Sequence, residues 1–383
     1  MSRPLPPPPA PDVELIAPPD GPARPAPGSS DEHLVEAVEA ELSRYLTERT
    51  AAAAAIDPVF AEAAEALSAF VLLGGKRLRP TFAWWGWRGA GGELGGAQAG
   101  AVVRAIGALE LIQGCALIHD DLMDASATRR GRPTVHVEFA RRHVDAGWRG
   151  MPARFGAAAA ILLGDLALVW ADDLLRLAGL PDDALARAAG PWQAMRTELL
   201  GGQFLDVLHQ ANGDPTARGA LQIDRFKTAA YTVERPLHLG AAVAGAGQEL
   251  VAAYRRFGAD IGIAFQLRDD LLGVFGDPAV TGKPAGDDLR EGKRTLLLAI
   301  AMERADEPAR AAIDAALGDP DLDADGVERI RDLLTDLGAV RAIEERIATL
   351  TASALDTLRA APIAEPAGAR LADLAIAATS RQR

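Results

Sequence analysis

Two short acidic clusters lie inside apolar stretches of the sequence, LIHDDLMD at 117–124 and FQLRDDLLG at 265–273. Carboxylates on a buried helix face are costly unless a positive charge neutralises them. Asp120 and Asp124 are four residues apart, so they share one face of a helix. If Asp269 faces them from another helix, three oxygen ligands converge. Such a set favours a hard divalent cation, naturally magnesium, which leaves coordination positions open for water and substrate phosphates.

Basic motifs accompany both acidic clusters. They are GGKRLRP at 74–80, TRRGRPTVH at 128–136, FKT at 226–228, GKPAGDD at 282–288 and GKRT at 292–295. Arginine forms paired hydrogen bonds with phosphate, and lysine supplies a mobile point charge. Carboxylates that bind a metal, surrounded by such residues, predict a site for a diphosphate.

The charge, cysteine content and apolar runs of the 383-residue chain exclude several classes of protein. A net charge of −13 argues against non-specific binding to nucleic acid. The single cysteine, Cys115, excludes an intrachain disulfide and fits a reducing, cytoplasmic location. The longest apolar run, 156–170, is broken by Asp165 and is shorter than a bilayer-spanning helix. No signal-peptide pattern opens the chain. We therefore expect no transmembrane segment.

The elements that must position these motifs are helices. Residues 1–30 are rich in proline without periodicity, which predicts a disordered or polyproline-type tail with one apolar island at 13–16. Beyond it the chain is rich in Ala, Leu, Glu and Arg, interrupted by glycine and proline turn clusters. We predict one all-α domain over 31–383, a single large helical bundle around a central cavity, because facing helices can project carboxylates into a shared space.

Taken together, the motifs resemble those of the trans-isoprenyl diphosphate synthases, the polyprenyl synthetase family, and most of all bacterial geranylgeranyl diphosphate synthases. The resemblance covers nearly everything after the tail. It is specific because the basic and acidic motifs occur in family order, with Gln113 seven residues before Asp120. It implies the isoprenoid synthase type of bundle and a chain-elongating prenyltransferase. Such an enzyme condenses isopentenyl diphosphate with an allylic diphosphate (dimethylallyl, geranyl or farnesyl).

The resemblance also implies a role for each matched residue. Those that hold the diphosphate of isopentenyl diphosphate would be Lys76, Arg79, Gln113 and Arg130. Those that hold the diphosphate of the allylic substrate would be Arg129, Lys227, Lys283 and Lys293. Magnesium would be bound by Asp120, Asp124 and Asp269, with Asp121 and Asp270 orienting ligands or basic side chains. The catalytic set is completed by Lys227 and by Thr228 and Gln266, which would line the cavity near the developing carbocation.

Two details carry expectations of their own. Lys76 and Arg79 are three residues apart and are expected to share one helix face, where they would bind the same anion. Gly273 stands where the family pattern DDxxD has its last aspartate, which bears on metal affinity and not on the reaction, since Asp269 is kept. Gly273→Asp is accordingly expected to leave activity similar or to tighten magnesium binding.

Product length is predicted from the helix that carries the first acidic cluster. Cys115 and Ala116 are small, whereas bulky aromatics at such positions close the pocket early in this family. Ile112 lies a further turn away and can form a floor. We predict mainly the twenty-carbon geranylgeranyl diphosphate, with a longer polyprenyl product as the alternative.

Two other functions and two partner hypotheses stay open at this point. A terpene cyclase would need no pocket for isopentenyl diphosphate, and a non-catalytic partner subunit would lose motif aspartates, to which only Gly273 points. The family is usually homodimeric. The tail at 1–30 is either an inert extension or a docking segment, of the kind that carries cargo enzymes into encapsulin shells.

Overall fold

The computed structural model describes residues 33–213, 216–276 and 286–380. Its first half contains α1 Leu34–Ile56, α2 Pro58–Leu72, α3 Leu78–Gly89, α4 Gly96–Met123, β1 Thr128–Arg129, β2 Arg132–Pro133, α5 Val135–Asp145, α6 Pro152–Arg176 and α7 Asp182–Asn212. Its second half contains α8 Ala217–Ile223, the π-helix π1 Asp224–Glu234, α9 Arg235–Ala244, α10 Gln248–Phe275, α11 Asp287–Arg290, α12 Leu296–Arg304, α13 Glu307–Ala316, α14 Ala324–Asp336, α15 Ala339–Ala360 and α16 Ala367–Thr379. Within the described ranges, extended structure is confined to one antiparallel two-stranded hairpin.

The architecture confirms the predicted all-α class and the bundle around a central cavity. Three predictions fall on parts of the chain that lie outside the described residues. They are the proline-rich tail at 1–30, its apolar island at 13–16, and Lys283.

Local sequence explains where several helices begin. Asp57 accepts a hydrogen bond from the Val59 amide at 2.7 Å, and Pro58 stands in the first turn of α2. Both features favour a helix start, and Pro58 also separates α2 from α1. Thr295 caps α12 in the same way, by accepting a hydrogen bond from the Leu298 amide.

The core is organised around two long helices. α4 is largely buried and packs against α6, α1, α3 and α2. α10 packs against π1 and α15. It contributes Phe257 and Ile261 to the main core. It also contributes Leu267 and Leu271 to a smaller C-terminal core. The three tryptophans of α3 are buried in the main core.

Glycines bring π1 close to both of its neighbours. A side chain at Gly202 of α7 would overlap the backbone of Lys227, and one at Gly262 of α10 would overlap Ala229. The backbones can therefore approach closely at both positions. This packing fixes Lys227 and Thr228 between the helices that carry the other polar groups of the cavity. A π-helical segment at such a place is typical of a functional site.

Two helices are long and apolar enough to cross a membrane by length and composition alone, Ala97–Met123 and Pro152–Arg176. α6 extends beyond the apolar run 156–170 in both directions. The most apolar window of Ala97–Met123 is 78% buried inside the bundle, which is typical of a core helix. The corresponding window of α6 is only 39% buried, so this helix exposes an apolar side.

Candidate active site

A cavity of about 840 Å³ lies between α3, α4, α7, π1 and α10 and is bordered by the segment that follows α11. Nearly all the side chains that the sequence singled out line it. They are Lys76, Arg79, Gln113, Ala116, Asp120, Asp124, Arg129, Lys227, Thr228, Gln266, Asp269, Asp270 and Lys293. The tertiary structure therefore brings both acidic clusters and most of the basic motifs to one space.

Asp120 and Asp124 lie at the C-terminal end of α4. Asp120 Oδ1 accepts hydrogen bonds from Lys227 Nζ at 2.9 Å and from Gln203 Nε2 at 3.2 Å. Burial alone would raise the pKa of Asp120, but the charge and hydrogen bond of Lys227, together with the charges of Lys293 and Arg129, outweigh it and lower the pKa. The pKa of Asp124 is raised to about 6, first by burial and then by the charge of Asp120.

The hairpin of β1 and β2 brings Arg129 to the first acidic cluster. Arg129 Nε donates to Asp121 Oδ1 at 2.7 Å, and Arg129 Nη2 lies 3.5 Å from Asp120 Oδ2. The side chain of Asp121 is almost fully buried. This contact suits a carboxylate that orients an arginine, the role that the resemblance implied for Asp121.

A chain of hydrogen bonds connects π1 to the second acidic cluster. Thr228 Oγ1 donates to Gln266 Oε1 at 2.7 Å, and Gln266 Nε2 donates to Asp270 Oδ1 at 2.6 Å. The other oxygen, Asp270 Oδ2, is buried without a hydrogen-bond partner. Burial and the nearby carboxyl group of Asp224 raise the pKa of Asp270 well above its usual range. The amide of Gln266 is thereby held in one orientation at the cavity wall.

The opposite side of the cavity carries Lys293. Its ammonium lies 2.6 Å from Glu291 Oε2 and 3.3 Å from Asp288 Oδ1. Burial lowers the pKa of Lys293, but these two carboxylates outweigh burial and raise it. The lysine is therefore a permanent positive charge at this wall.

The predicted helix face shared by Lys76 and Arg79 is wrong, because α3 begins only at Leu78 and Lys76 precedes it. Arg77 between them has a left-handed backbone with φ of 47°, and its buried guanidinium donates to Glu110 Oε2 at 2.7 Å. Lys76 and Arg79 both line the cavity nonetheless.

Arg79 is held at the cavity wall by π1. Its guanidinium stands over the ring of Tyr231, 3.9 Å from the centroid, and Nη2 donates to Thr232 Oγ1 at 2.9 Å. A cation over an aromatic face gains electrostatic stabilisation. The arginine is thus oriented before any anion binds.

Arg130 does not line the cavity, unlike the other residues predicted to hold isopentenyl diphosphate. Its Nη1 donates to the backbone oxygens of Leu73 at 2.6 Å and Gly74 at 2.9 Å. In this state Arg130 supports the loop that precedes Lys76.

Of the three residues predicted to set product length, only one lines the cavity. Ala116 lines the cavity, whereas Cys115 and Ile112 are buried in the core and do not line it. Cys115 Sγ lies 3.8 Å from His119 Nδ1. Burial raises the pKa of the Cys115 thiol to about 12.

Several polar residues at the cavity escaped the sequence reasoning. Asp206 Oδ2 accepts from Lys227 Nζ at 2.5 Å, and Gln203 contacts Asp120 from the same face of α7. The segment GGQFLD at 201–206 could have revealed this pair, since two polar residues three apart share a helix face. Asp224 and Asp288 also line the cavity. No feature of the surrounding sequence indicated that Asp224 would line the cavity.

The carboxylates of the cavity are the candidate ligands for a magnesium ion. Among the residues that the structure describes, no group of three or more His, Cys, Asp or Glu side chains is arranged to hold a metal. Lys227 and Arg129 instead contact the first acidic cluster. The donors are all carboxylate oxygens, and two of them, Asp224 Oδ2 and Asp270 Oδ2, are buried without hydrogen-bond partners. Their chemistry fits magnesium, which Asp120, Asp124 and Asp269 would hold.

An all-α bundle with two acidic clusters and a ring of lysines and arginines around one cavity defines a diphosphate-binding transferase of the isoprenoid class. The family model described as polyprenyl synthetase matches residues 61–334, and the chain belongs to this family. It is therefore a chain-elongating trans-prenyltransferase.

Similar proteins are found among curated sequences and solved structures. The chain is 34% identical over 305 residues to geranylfarnesyl diphosphate synthase of Aeropyrum pernix, covering 79% of this chain and 88% of that protein. It is 36% identical over 290 residues to geranylgeranyl diphosphate synthase of Mycobacterium tuberculosis, covering 74% and 76%. A crystal structure of geranylgeranyl pyrophosphate synthase from Corynebacterium glutamicum, complexed with isoprenyl diphosphate and magnesium, matches with a TM-score of 0.88 and 45% identity. That match covers 92% of this chain and all of the other.

Proposed function

We propose that the chain condenses isopentenyl diphosphate with allylic diphosphates to give mainly geranylgeranyl diphosphate. The observation that carries the product length is Ala116, a small residue that lines the cavity one turn before Asp120 on α4. A hydrocarbon can pass a methyl group, and the adjacent wall residues Leu117 and Leu199 are apolar. Relatives named for twenty-carbon and twenty-five-carbon products support this range. A longer polyprenyl product is the second candidate.

Two separate groups of basic residues would hold the two diphosphates. Lys76, Arg79 and Gln113 border the α3 side and would hold isopentenyl diphosphate. Arg129, Lys227 and Lys293 border the acidic clusters and would hold the allylic diphosphate. Separate anion sites place the double bond of one substrate beside the ionising carbon of the other, which lowers the entropic barrier.

Asp120, Asp124 and Asp269 would hold magnesium, with Asp121 and Asp270 as supporting groups. The bound ion would neutralise negative charge on the departing diphosphate. Lys227 would leave Asp120 and contribute its charge to the same oxygens, because a buried ammonium needs an anionic partner. No side-chain nucleophile is required.

The wall opposite the ionising bond would protect the allylic cation. Thr228 and Gln266 present oxygen atoms held by hydrogen bonds, and these can stabilise positive charge without attacking it. The apolar residues below the aspartates exclude water, which would otherwise trap the cation. The departed diphosphate is the base that takes the final proton.

The two rival functions are disfavoured by the same residues. A cyclase needs no second diphosphate site, yet Lys76 and Arg79 both line the cavity. A non-catalytic subunit would be expected to lose its aspartates, yet Asp120, Asp124 and Asp269 all line it.

One assay separates these functions. Purified protein is incubated with isopentenyl diphosphate, magnesium and dimethylallyl, geranyl or farnesyl diphosphate, and product mass is measured. We expect a product of twenty carbons from each allylic substrate. A cyclised hydrocarbon, or no product in the presence of magnesium, would contradict the proposal.

We also propose that the enzyme is a homodimer, formed through the exposed apolar side of α6 and α7. Asp172 of α6 accepts hydrogen bonds from Trp192 and Arg196 of α7, which holds the helices together. Large apolar side chains are exposed on both: Phe155, Ile161, Leu162 and Val169 on α6, and Leu200, Phe204, Val207 and Leu208 on α7. Exposed large apolar side chains in this number are typical of an interface. Light scattering should give twice the chain mass, and Leu162→Glu with Phe204→Glu should reduce it.

The proline-rich tail at 1–30 is proposed as a docking segment of a cytoplasmic enzyme, with 13–16 as its anchor. The support is its composition, since prolines keep a chain extended and an apolar island can fill a small pocket. An encapsulin shell is the partner to test, and an inert extension is the alternative.

A further inference from the structure

The two acidic clusters have unequal ends. In the first, Asp120 is followed four residues later by Asp124, and in the second, Asp269 is followed at the same interval by Gly273. α10 continues to Phe275, so position 273 lies one turn beyond Asp269 on the same face. Gly273 lines the cavity. The second cluster therefore lacks one carboxylate that the first cluster has.

The space beside Gly273 is filled by Asp288. A Cβ atom added at Gly273 would overlap Oδ2 and Cγ of Asp288 and would lie 3.0 Å from Oδ1. No side chain fits at 273 while Asp288 keeps this position. A carboxylate from α11 thus occupies the place where a side chain of α10 would stand.

The position of Asp288 is fixed by contacts with Lys293. Asp288 is only 7% exposed, and Oδ1 lies 3.3 Å from Lys293 Nζ. The Lys293 amide also donates to the Asp288 backbone oxygen at 3.0 Å. Both residues line the cavity. Asp288 therefore orients a lysine that faces the substrate site.

Buried carboxylate oxygens beside Asp288 point to a cation. Asp270 and Asp224 are each 5% exposed, and one oxygen of each has no hydrogen-bond partner. Both side chains line the cavity. A buried polar atom left without a partner costs free energy, which a bound cation would recover.

We infer that Asp288 supplies the carboxylate that the second acidic cluster lacks at position 273. It holds Lys293 at the cavity wall and, together with Asp270, faces the magnesium diphosphate. This inference rests on the proposed function and deepens it. Asp288 is a positioning residue for Lys293 and an additional oxygen donor toward magnesium, and Gly273 is the residue that makes room for it.

A carboxylate swap tests the inference. The variants are Asp288→Gly, Gly273→Asp and the double variant, with Asp288→Asn as a substitution that keeps the side-chain size. Asp287→Asn is the matched control, because Asp287 immediately precedes Asp288 and does not line the cavity. Binding of inorganic pyrophosphate is measured by calorimetry at a series of magnesium concentrations, and folding is checked by circular dichroism.

The inference predicts a non-additive pattern. Asp288→Asn and Asp288→Gly should weaken magnesium-dependent pyrophosphate binding about tenfold, since each removes a charged oxygen donor. Gly273→Asp should also weaken it, because the new side chain displaces Asp288. The double variant should recover to within about threefold of wild type, since it restores one carboxylate to the same space.

Three outcomes would overturn the inference. One is a double variant that binds no better than the weaker single variant, and another is wild-type affinity in Asp288→Asn. Failure of the wild-type protein to bind pyrophosphate with magnesium would contradict the proposed function as well. The first two outcomes leave the proposed function intact.

Discussion

Lys227 of π1 joins Asp120 of α4 to Asp206 of α7, with Nζ 2.9 Å from the first carboxylate and 2.5 Å from the second. Burial lowers the pKa of Lys227, but the two carboxylates outweigh burial and raise it. The ammonium is therefore charged and neutralises the first acidic cluster in the absence of ligand. If magnesium were held by Asp120, the charge of Lys227 would be available to a substrate diphosphate.

Removal of Asp120 should abolish most of the activity. Asp120→Ala should lower kcat on the order of 10²-fold or more, because it removes a magnesium ligand and one partner of Lys227. Steady-state assays in saturating magnesium measure this. Asp145→Ala, on an exposed carboxylate at the end of α5, is the control and should leave kcat unchanged. Near-normal turnover by Asp120→Ala would contradict the assignment.

The two groups of basic residues should separate kinetically. Lys76→Ala or Arg79→Ala should raise KM for isopentenyl diphosphate more than KM for the allylic substrate. Lys227→Ala should do the reverse and also lower kcat, since Lys227 lies beside the ionising bond. If the variants of both groups weakened the same substrate alone, the division of the cavity would be wrong.

Product length should respond to Ala116 and not to its neighbour in the sequence. Ala116→Phe should fill the cavity and shift the product to farnesyl diphosphate. Cys115 is buried beside His119, so Cys115→Phe should destabilise the fold instead, typically by about 1–3 kcal/mol from overpacking. Product masses and thermal unfolding measure the two effects. An unchanged product from Ala116→Phe would place the hydrocarbon against another helix.

Asp224 should make the protein less stable as pH rises. Its pKa is raised to about 8, first by burial and then by the charge of Asp206. Between its unfolded pKa of about 4 and this value, the unfolded state is ionised while the folded state keeps the proton. Stability should therefore fall with rising pH by about 1.4 kcal/mol per unit from this group.

Replacing Asp224 removes that dependence. Asp224→Asn should be more stable than wild type at pH 7.5, and its advantage should shrink toward pH 5. Urea unfolding of the ligand-free protein at several pH values measures the difference. Asp332→Asn, at an exposed position, is the control. An advantage that did not grow with pH would show that Asp224 is ionised in the folded protein.

The tail should be separable from catalysis. Deletion of residues 1–30 should leave kcat and KM unchanged, because the cavity-lining residues in the described part of the chain lie beyond it. Co-expression of the full chain and the deletion with an encapsulin shell protein tests docking. Encapsulation of the full chain but not of the deletion variant would support the docking segment, and exclusion of both would support the inert extension. Loss of activity on deletion would assign the tail to the fold.

The expected effect of Gly273→Asp on magnesium binding differs between the sequence and the structure. From the sequence, Gly273→Asp should preserve activity or tighten magnesium binding. The side chain of Asp288 fills that space, so the new carboxylate must displace it. We therefore expect weaker magnesium binding from the single variant. No local pattern in α10 reveals that Asp288 packs beside Gly273.

The sequence by itself determined the class of fold, the reaction, through the resemblance of its motifs to those of a family, and many of the charged residues that line the cavity. These follow from local features, since carboxylates four apart share a helix face and basic motifs mark phosphate sites wherever the chain places them. Asp120, Lys227 and Asp269 were identified in this way.

The tertiary structure decided which of those residues meet. Asp224 reaches the cavity because π1 packs beside it, and no local feature of the sequence indicated that contact. Lys76 reaches it from the loop ahead of α3, where Arg77 has a left-handed backbone and pairs with the buried Glu110. Contacts between distant segments depend on packing across the whole bundle, so they became visible only when the helices were in place.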